Sequence, residues 1–106
     1  MASSKIWLPT GIGKEGVYVS RILFIEVRDK HCRIVTVNNE YVMISPLTSF
    51  EAELPEAQFA RIHKSYLVAL RHVSVIGDLQ LNVRGHIIPV SRRKMPGLKR
   101  RLKRNN

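Results

Sequence analysis

"FARIHKSYLVAL", Phe59 to Leu70, is the stretch on which the fold turns. Short apolar runs flank a polar centre of Arg61, His63, Lys64 and Ser65, a pattern of strand, turn and strand. Ile62, Tyr66, Val68 and Leu70 read as the structural part. The four polar residues raise the question of whether they serve the fold or a ligand.

The same alternation extends in both directions. Upstream, "KIWLPTG" and "GVYVSRILFIEV" carry aromatic and β-branched residues and are separated by Gly11, Gly13 and Gly16, giving two or three short strands. "HCRIVTV", Asn38 and Asn39, then "EYVMI" read as a hairpin whose two asparagines tolerate positive φ. In "SPLTSFEAELPE", Ser45 is placed to cap a helix with Pro46 at its first position. Leu47, Phe50 and Leu54 form its buried stripe, and Pro55 ends it. Downstream, "HVSVI", "DLQLNV" and "HIIPV" add strands, the last two joined through Arg84 and Gly85. The expectation is one mainly β domain over residues 1–106 with a short internal helix. A basic C-terminal helix starting near Pro96 carries Leu98 and Leu102 on one face.

With 106 residues the chain has room for one modest core. The unusual feature is charge. Of 18 Lys and Arg, eight fall between Arg92 and Arg104 with no acid among them, and the last acid is Asp78. Net charge is +10 overall, yet ten basic and eight acidic residues nearly balance before Arg92. Such asymmetry points to a polyanion, with nucleic acid first and an anionic membrane second. A membrane role would rest on the tail alone and should vanish when residues after Met95 are removed. One cysteine, Cys32, makes no internal disulfide, and with four scattered histidines it gives no metal-ligand spacing. No apolar run or leader pattern suggests export, so a cytoplasmic setting without membrane attachment is expected.

Catalytic constellations are not evident, and neither enzyme activity nor a cofactor is expected. "GIGKEG" lacks the strand, loop and helix context of a nucleotide loop. His63 and Ser65 have no third orienting group, so a half-buried histidine bonded to backbone in a turn is preferred to a nucleophile and its base. Cys32 between His31 and Arg33 could have a lowered pKa, but it reads more simply as a small apolar residue on a strand face.

In order and spacing, "ILFIEV", "FARIHKSYLVAL" and "IPVSRR" before a basic tail resemble the LytTR DNA-binding domain of bacterial response regulators. The likeness runs from about Val17 to Leu102. It implies three small antiparallel sheets and sequence-specific binding of double-stranded DNA, with loops from one sheet edge entering successive major grooves. It also implies base contacts from His31, Lys64 and Arg92, with Lys30, Arg61, His63, Ser65, Ser91 and Arg93 as phosphate or supporting contacts. Related domains usually run an uninterrupted helix where this chain has Pro96 and Gly97. Paired direct repeats, a monomer that dimerises on DNA, and a receiver domain as a regulatory partner are implied as well. The chain would then be a stand-alone regulator or an excised C-terminal domain.

Chemistry supports these roles independently. An arginine fork matches the O6 and N7 acceptors of guanine, Lys64 offers donors to a base or phosphate, and His31 can donate to N7. The rival reading is an RNA-binding or ribosome-associated basic module. Single-stranded RNA readers present aromatic stacking platforms, and most of the few aromatics here are needed in strands.

Overall fold

The structure, a computed structural model, describes residues 4–104. Ten strands and two helices follow in chain order. The N-terminal half holds β1 (Lys5–Thr10), β2 (Gly13–Tyr18), β3 (Ile22–Arg28), β4 (His31–Thr36), β5 (Glu40–Ile44) and α1 (Leu47–Glu53). The C-terminal half holds β6 (Phe59–His63), β7 (Tyr66–Ala69), β8 (Val73–Ile76), β9 (Gln80–Val83), β10 (His86–Pro89) and α2 (Met95–Arg104). Single 3-10 turns at Val19–Arg21 and Leu70–His72 lead into β3 and β8.

Three antiparallel sheets result: a β1–β2 hairpin, a three-stranded sheet β10-β9-β8, and a five-stranded sheet ordered β5-β4-β3-β7-β6. The expected mainly β architecture of three small sheets is therefore present. β3 lies at the middle of the largest sheet and is covered on both faces, which is why "ILFI" is apolar without alternation. On one face Ile25, Cys32, Ile34 and Leu67 meet Leu47, Phe50 and Leu54 of the α1 region and Ile6, Leu8 and Val17 of the hairpin. On the other, Phe24, Ile62 and Val68 meet Leu81, Val83 and Ile88 of the small sheet and Met95 and Leu98 of α2.

Ser45 does not cap α1. Its hydroxyl bonds the carbonyl of Pro46 at 3.2 Å, and Pro46 itself occupies the flanking position, extended at ψ 146°. Proline has no amide that would need a cap there, and its fixed φ suits the entry. Leu54 turns extended as the residue before Pro55 must, so the helix stops at Glu53.

The Asn38 and Asn39 turn also differs from expectation, because neither residue has positive φ. Thr36 closes that loop instead, its amide and hydroxyl both donating to the carbonyl of Asn39 at 2.8 and 2.9 Å. The left-handed positions fall at Asp29 (φ 49°), Lys30 (φ 69°), Leu79 (φ 58°) and Arg84 (φ 53°), with Gly85 (φ 96°) completing the anticipated Arg84–Gly85 turn.

α2 begins at Met95, beside the expected Pro96. Turn hydrogen bonds from Lys94 to Ser91 and from Met95 to Arg92 lead into it. Pro96 and Gly97 fall in its first turn, where a missing proline amide costs nothing. The tail is not a detachable appendage, because Met95 and Leu98 are core residues. Removing the residues after Met95 would expose apolar core, so that truncation does not isolate a charge effect.

Candidate nucleic-acid interface

Antiparallel pairing brings the sequence-predicted residues to one edge. β3 and β4 join through Asp29 and Lys30, and β6 and β7 join through Lys64 and Ser65. β3 and β7 are neighbours with Glu26 opposite Tyr66, so both turns leave the sheet on the same side. The Val27 amide donates to the Ser65 carbonyl at 2.9 Å and ties one turn to the other strand pair. A third segment, Ser91 to Arg93 after β10, is fixed to β6 by two bonds onto the Ile62 carbonyl, from the Ser91 amide (2.9 Å) and hydroxyl (3.3 Å). Along this edge the order is His31 and Lys30, then Lys64, then Arg92.

Local chemistry explains each tip. In the first, Arg28 pairs with His31 across two left-handed residues, a primed turn that matches strand twist. The Ser45 amide holds the Lys30 carbonyl at 3.1 Å. His31 Nδ1 lies 3.0 Å from the Asp29 carbonyl, so Nδ1 carries the proton and Nε2 is left for solvent or a ligand.

In the second tip, Arg61 is the organiser. Its Nε donates to the His63 carbonyl (3.0 Å), Nη2 to the Lys64 carbonyl (2.6 Å) and Nη1 to Glu51 (2.8 Å). His63 accepts the Ser65 amide at Nδ1, 3.1 Å away, which is the expected turn histidine, and its ring meets Tyr66 edge-on. With those groups engaged, Lys64 is held out exposed. Among the described residues Lys30, Lys64, Arg92 and Arg93 are exposed cations in no ion pair, whereas Arg61 and Ser91 spend their donors on the scaffold.

Beneath the tips lies a group the sequence reading overlooked. Glu26 is 9% exposed, and one carboxylate oxygen accepts the Tyr66 hydroxyl at 2.6 Å. The other accepts Arg33 through Nε (3.0 Å) and Nη2 (2.9 Å), while Arg33 also reaches Glu40 at 3.1 Å. Arg28 stands 3.6 Å from Glu26, at the base of the first tip. Burial pushes the Glu26 carboxyl up, but the Tyr66 hydroxyl and the Arg33 and Arg28 guanidiniums outweigh it, and it stays below its ordinary value of 4.5. A charged residue inside "ILFIEV" was the signal, since an acid in a doubly covered strand must have partners.

The discarded chemistries are resolved as well. "GIGKEG" forms the β1–β2 hairpin, with Thr10 opposite Gly13, and no helix follows. Burial pushes the Cys32 thiol up, and its Sγ donates to the Ser45 carbonyl at 3.1 Å, opposite to an activated thiolate. Among the described residues no His, Cys, Asp and Glu cluster could hold a metal, and no helix is long and apolar enough to cross a membrane.

A β scaffold that projects unpaired cations from three segments along one edge defines a loop-presenting binder of polyanions. The model of the LytTr DNA-binding domain matches residues 16–103, and the chain belongs to that family. It is 29% identical over 93 residues to a sensory transduction protein LytT of Bacillus anthracis, covering 82% of this chain and 38% of that protein. A CO-responsive transcriptional regulator, RcoM of Rhodospirillum rubrum, is 28% identical over 101 residues, covering 87% of this chain and 43% of the regulator. The chain thus spans about two fifths of the length of these curated relatives. Its fold matches the solved LytTr DNA-binding domain of a methyl-accepting/DNA response regulator from Bacillus cereus. That match has a TM-score of 0.80 and 25% identity, over 95% of this chain and 98% of the other.

Proposed function

We propose that this domain reads double-stranded DNA through its tip-bearing edge, as the output module of a bacterial transcription regulator. The observation that carries the reading is the convergence of His31, Lys64 and Arg92, from three separate segments, on one edge of the five-stranded sheet. Arg92 and His31 are the outer contacts and read base edges. Lys30, Ser65 and Arg93 hold neighbouring phosphates, while Arg61, His63 and Ser91 fix the tips.

Strand order refines the role of Lys64. It stands between the other two, and the space between successive major grooves on one side of a duplex is a minor groove. Lys64 therefore faces that groove or its phosphates, where a flexible ammonium needs no fork geometry. The molecule is 42 Å along its longest axis, enough for one domain to lie along a helical turn of about 34 Å.

Two copies on direct repeats, a monomer before binding, and a receiver domain supplying the signal complete the proposal. Selection from a random duplex pool tests it. Spaced repeated motifs are expected, with single-stranded RNA competing poorly at one stated salt concentration. Unenriched pools, or RNA competing equally, would return the domain to a general basic module. The RNA reading gains little from the exposed aromatics: Tyr18 already lies under both Lys5 (4.9 Å) and Arg21 (5.5 Å).

A further inference from the structure

Behind the tips, at the other end of β7 and α2, the surface carries a groove of about 780 Å³. Its apolar lining comes from Leu70, Val73, Ile76 and Leu102. Arg71, Lys99 and Lys103 stand at its rim, and no acid lines it. These cations belong to a different part of the molecule from His31, Lys64 and Arg92. β7 runs from Tyr66, beside the Lys64 tip, to Ala69, and Leu70 then bonds back to Gln58. Along α2, Lys103 lies about 12 Å beyond Met95.

We infer that this groove docks an acidic, amphipathic segment of a partner protein. The lining decides between polyanions. A phosphate backbone has no apolar group to bury against Leu70, Val73 and Leu102, and a bilayer surface would need a protruding apolar face where this one is concave. A short helix with leucines at i, i+3 and i+4 and carboxylates on the flanks satisfies both features: leucines fill the floor and Asp or Glu meets the rim. The second groove, of about 460 Å³ on the other side of α2, does not fit this partner because Glu51 and Glu56 line it. Arg101 is also drawn to that side, donating to the Glu56 carbonyl at 2.6 Å. The inference does not depend on the DNA reading, since the two surfaces share no residue.

The test uses the full chain and a fluorescein-labelled synthetic peptide of about 16 residues with Leu and Glu in that pattern. Controls are a scrambled peptide of the same composition and one with Lys for Glu. Saturable binding of the patterned acidic peptide is expected, with backbone amide shifts confined to residues 57–58, 70–76 and 99–103. Lys99→Glu with Lys103→Glu should weaken it by about tenfold or more, as opposed charge at a rim does. Ser74→Glu, at an exposed lining position, should act likewise without touching the core. Affinity for a selected DNA duplex should change by less than about threefold in the Ser74 variant. Equal binding of scrambled and patterned peptides, or shifts spread over the His31, Lys64 and Arg92 tips, would overturn the inference. A duplex titration moving the 70–76 and 99–103 amides would do so too, by assigning the groove to phosphates. Failure of duplex binding alone would bear only on the DNA proposal.

Discussion

Glu26 and Tyr66 face each other across the β3–β7 ladder, and their side chains meet at 2.6 Å. This bond lies directly under both hairpin tips, since Arg28 leads into the first and Ser65 into Tyr66. Removing the hydroxyl with Tyr66→Phe strips a hydrogen bond from a buried charge. A loss of about 1.5 to 3 kcal/mol in urea unfolding is expected. An unchanged midpoint would show that the pair contributes nothing to stability.

The same carboxylate sets an acid limit. Because the folded state holds Glu26 below 4.5, it binds that proton more weakly than the unfolded chain. Its contribution is complete above the ordinary value and is lost as pH falls through the lowered folded value. Wild type should lose stability relative to Glu26→Gln on going from about pH 6 to about pH 3. Parallel pH profiles for the two proteins would contradict this.

Arg61 is expected to affect DNA affinity without touching DNA. Arg61→Ala frees the His63 and Lys64 carbonyls together, so the second tip loosens. Affinity for a selected duplex should fall about tenfold, near 1.4 kcal/mol. Arg61→Lys should recover little, since one ammonium cannot reproduce a fork spanning two carbonyls and Glu51. Amide exchange at residues 63–65 would report the loosening directly.

Arg92 should behave in the opposite way. It is exposed and takes part in no ion pair, so Arg92→Ala should leave the melting temperature nearly unchanged. It should reduce discrimination between selected and random duplexes by about 1 to 3 kcal/mol. Equal losses on both duplexes would make it a phosphate contact.

Lys30 sets stability against recognition. A non-glycine residue at φ 69° carries a steric cost, so Lys30→Gly should stabilise the domain by about 0.5 to 1 kcal/mol after glycine's own entropy is counted. Duplex affinity should fall, with a shallower salt slope as one phosphate contact disappears. A destabilised or tighter-binding variant would refute this assignment.

Much of the architecture was legible because the patterning was local. Alternation gave the strands of "RIHKSYLVAL", and Arg84–Gly85 marked its turn by composition. The three candidate base contacts came from the family likeness, and their meeting on one edge needed the register of β3 against β7. Three features were hidden for physical reasons. Asp29–Lys30 adopts a primed turn without glycine or asparagine, because tertiary anchoring by Ser45 offsets the local preference. Ser45 looks like a cap, yet the proline after it changes which amides need one. Glu26 reads as a lone acid until Tyr66, forty positions away, and Arg33 across the β3–β4 hairpin converge on it.

The tips are two-residue turns welded to one sheet, so the distances between them are multiples of the strand spacing, about 4.8 Å each. Such a comb cannot stretch to follow its partner. On the proposed mode the duplex makes the adjustment, and the base steps under Lys64 count through how easily they bend rather than through any edge they display. Sites with identical contacted bases but a stiffer centre would then bind more weakly, so the rigidity of the hairpins becomes a means of reading DNA mechanics.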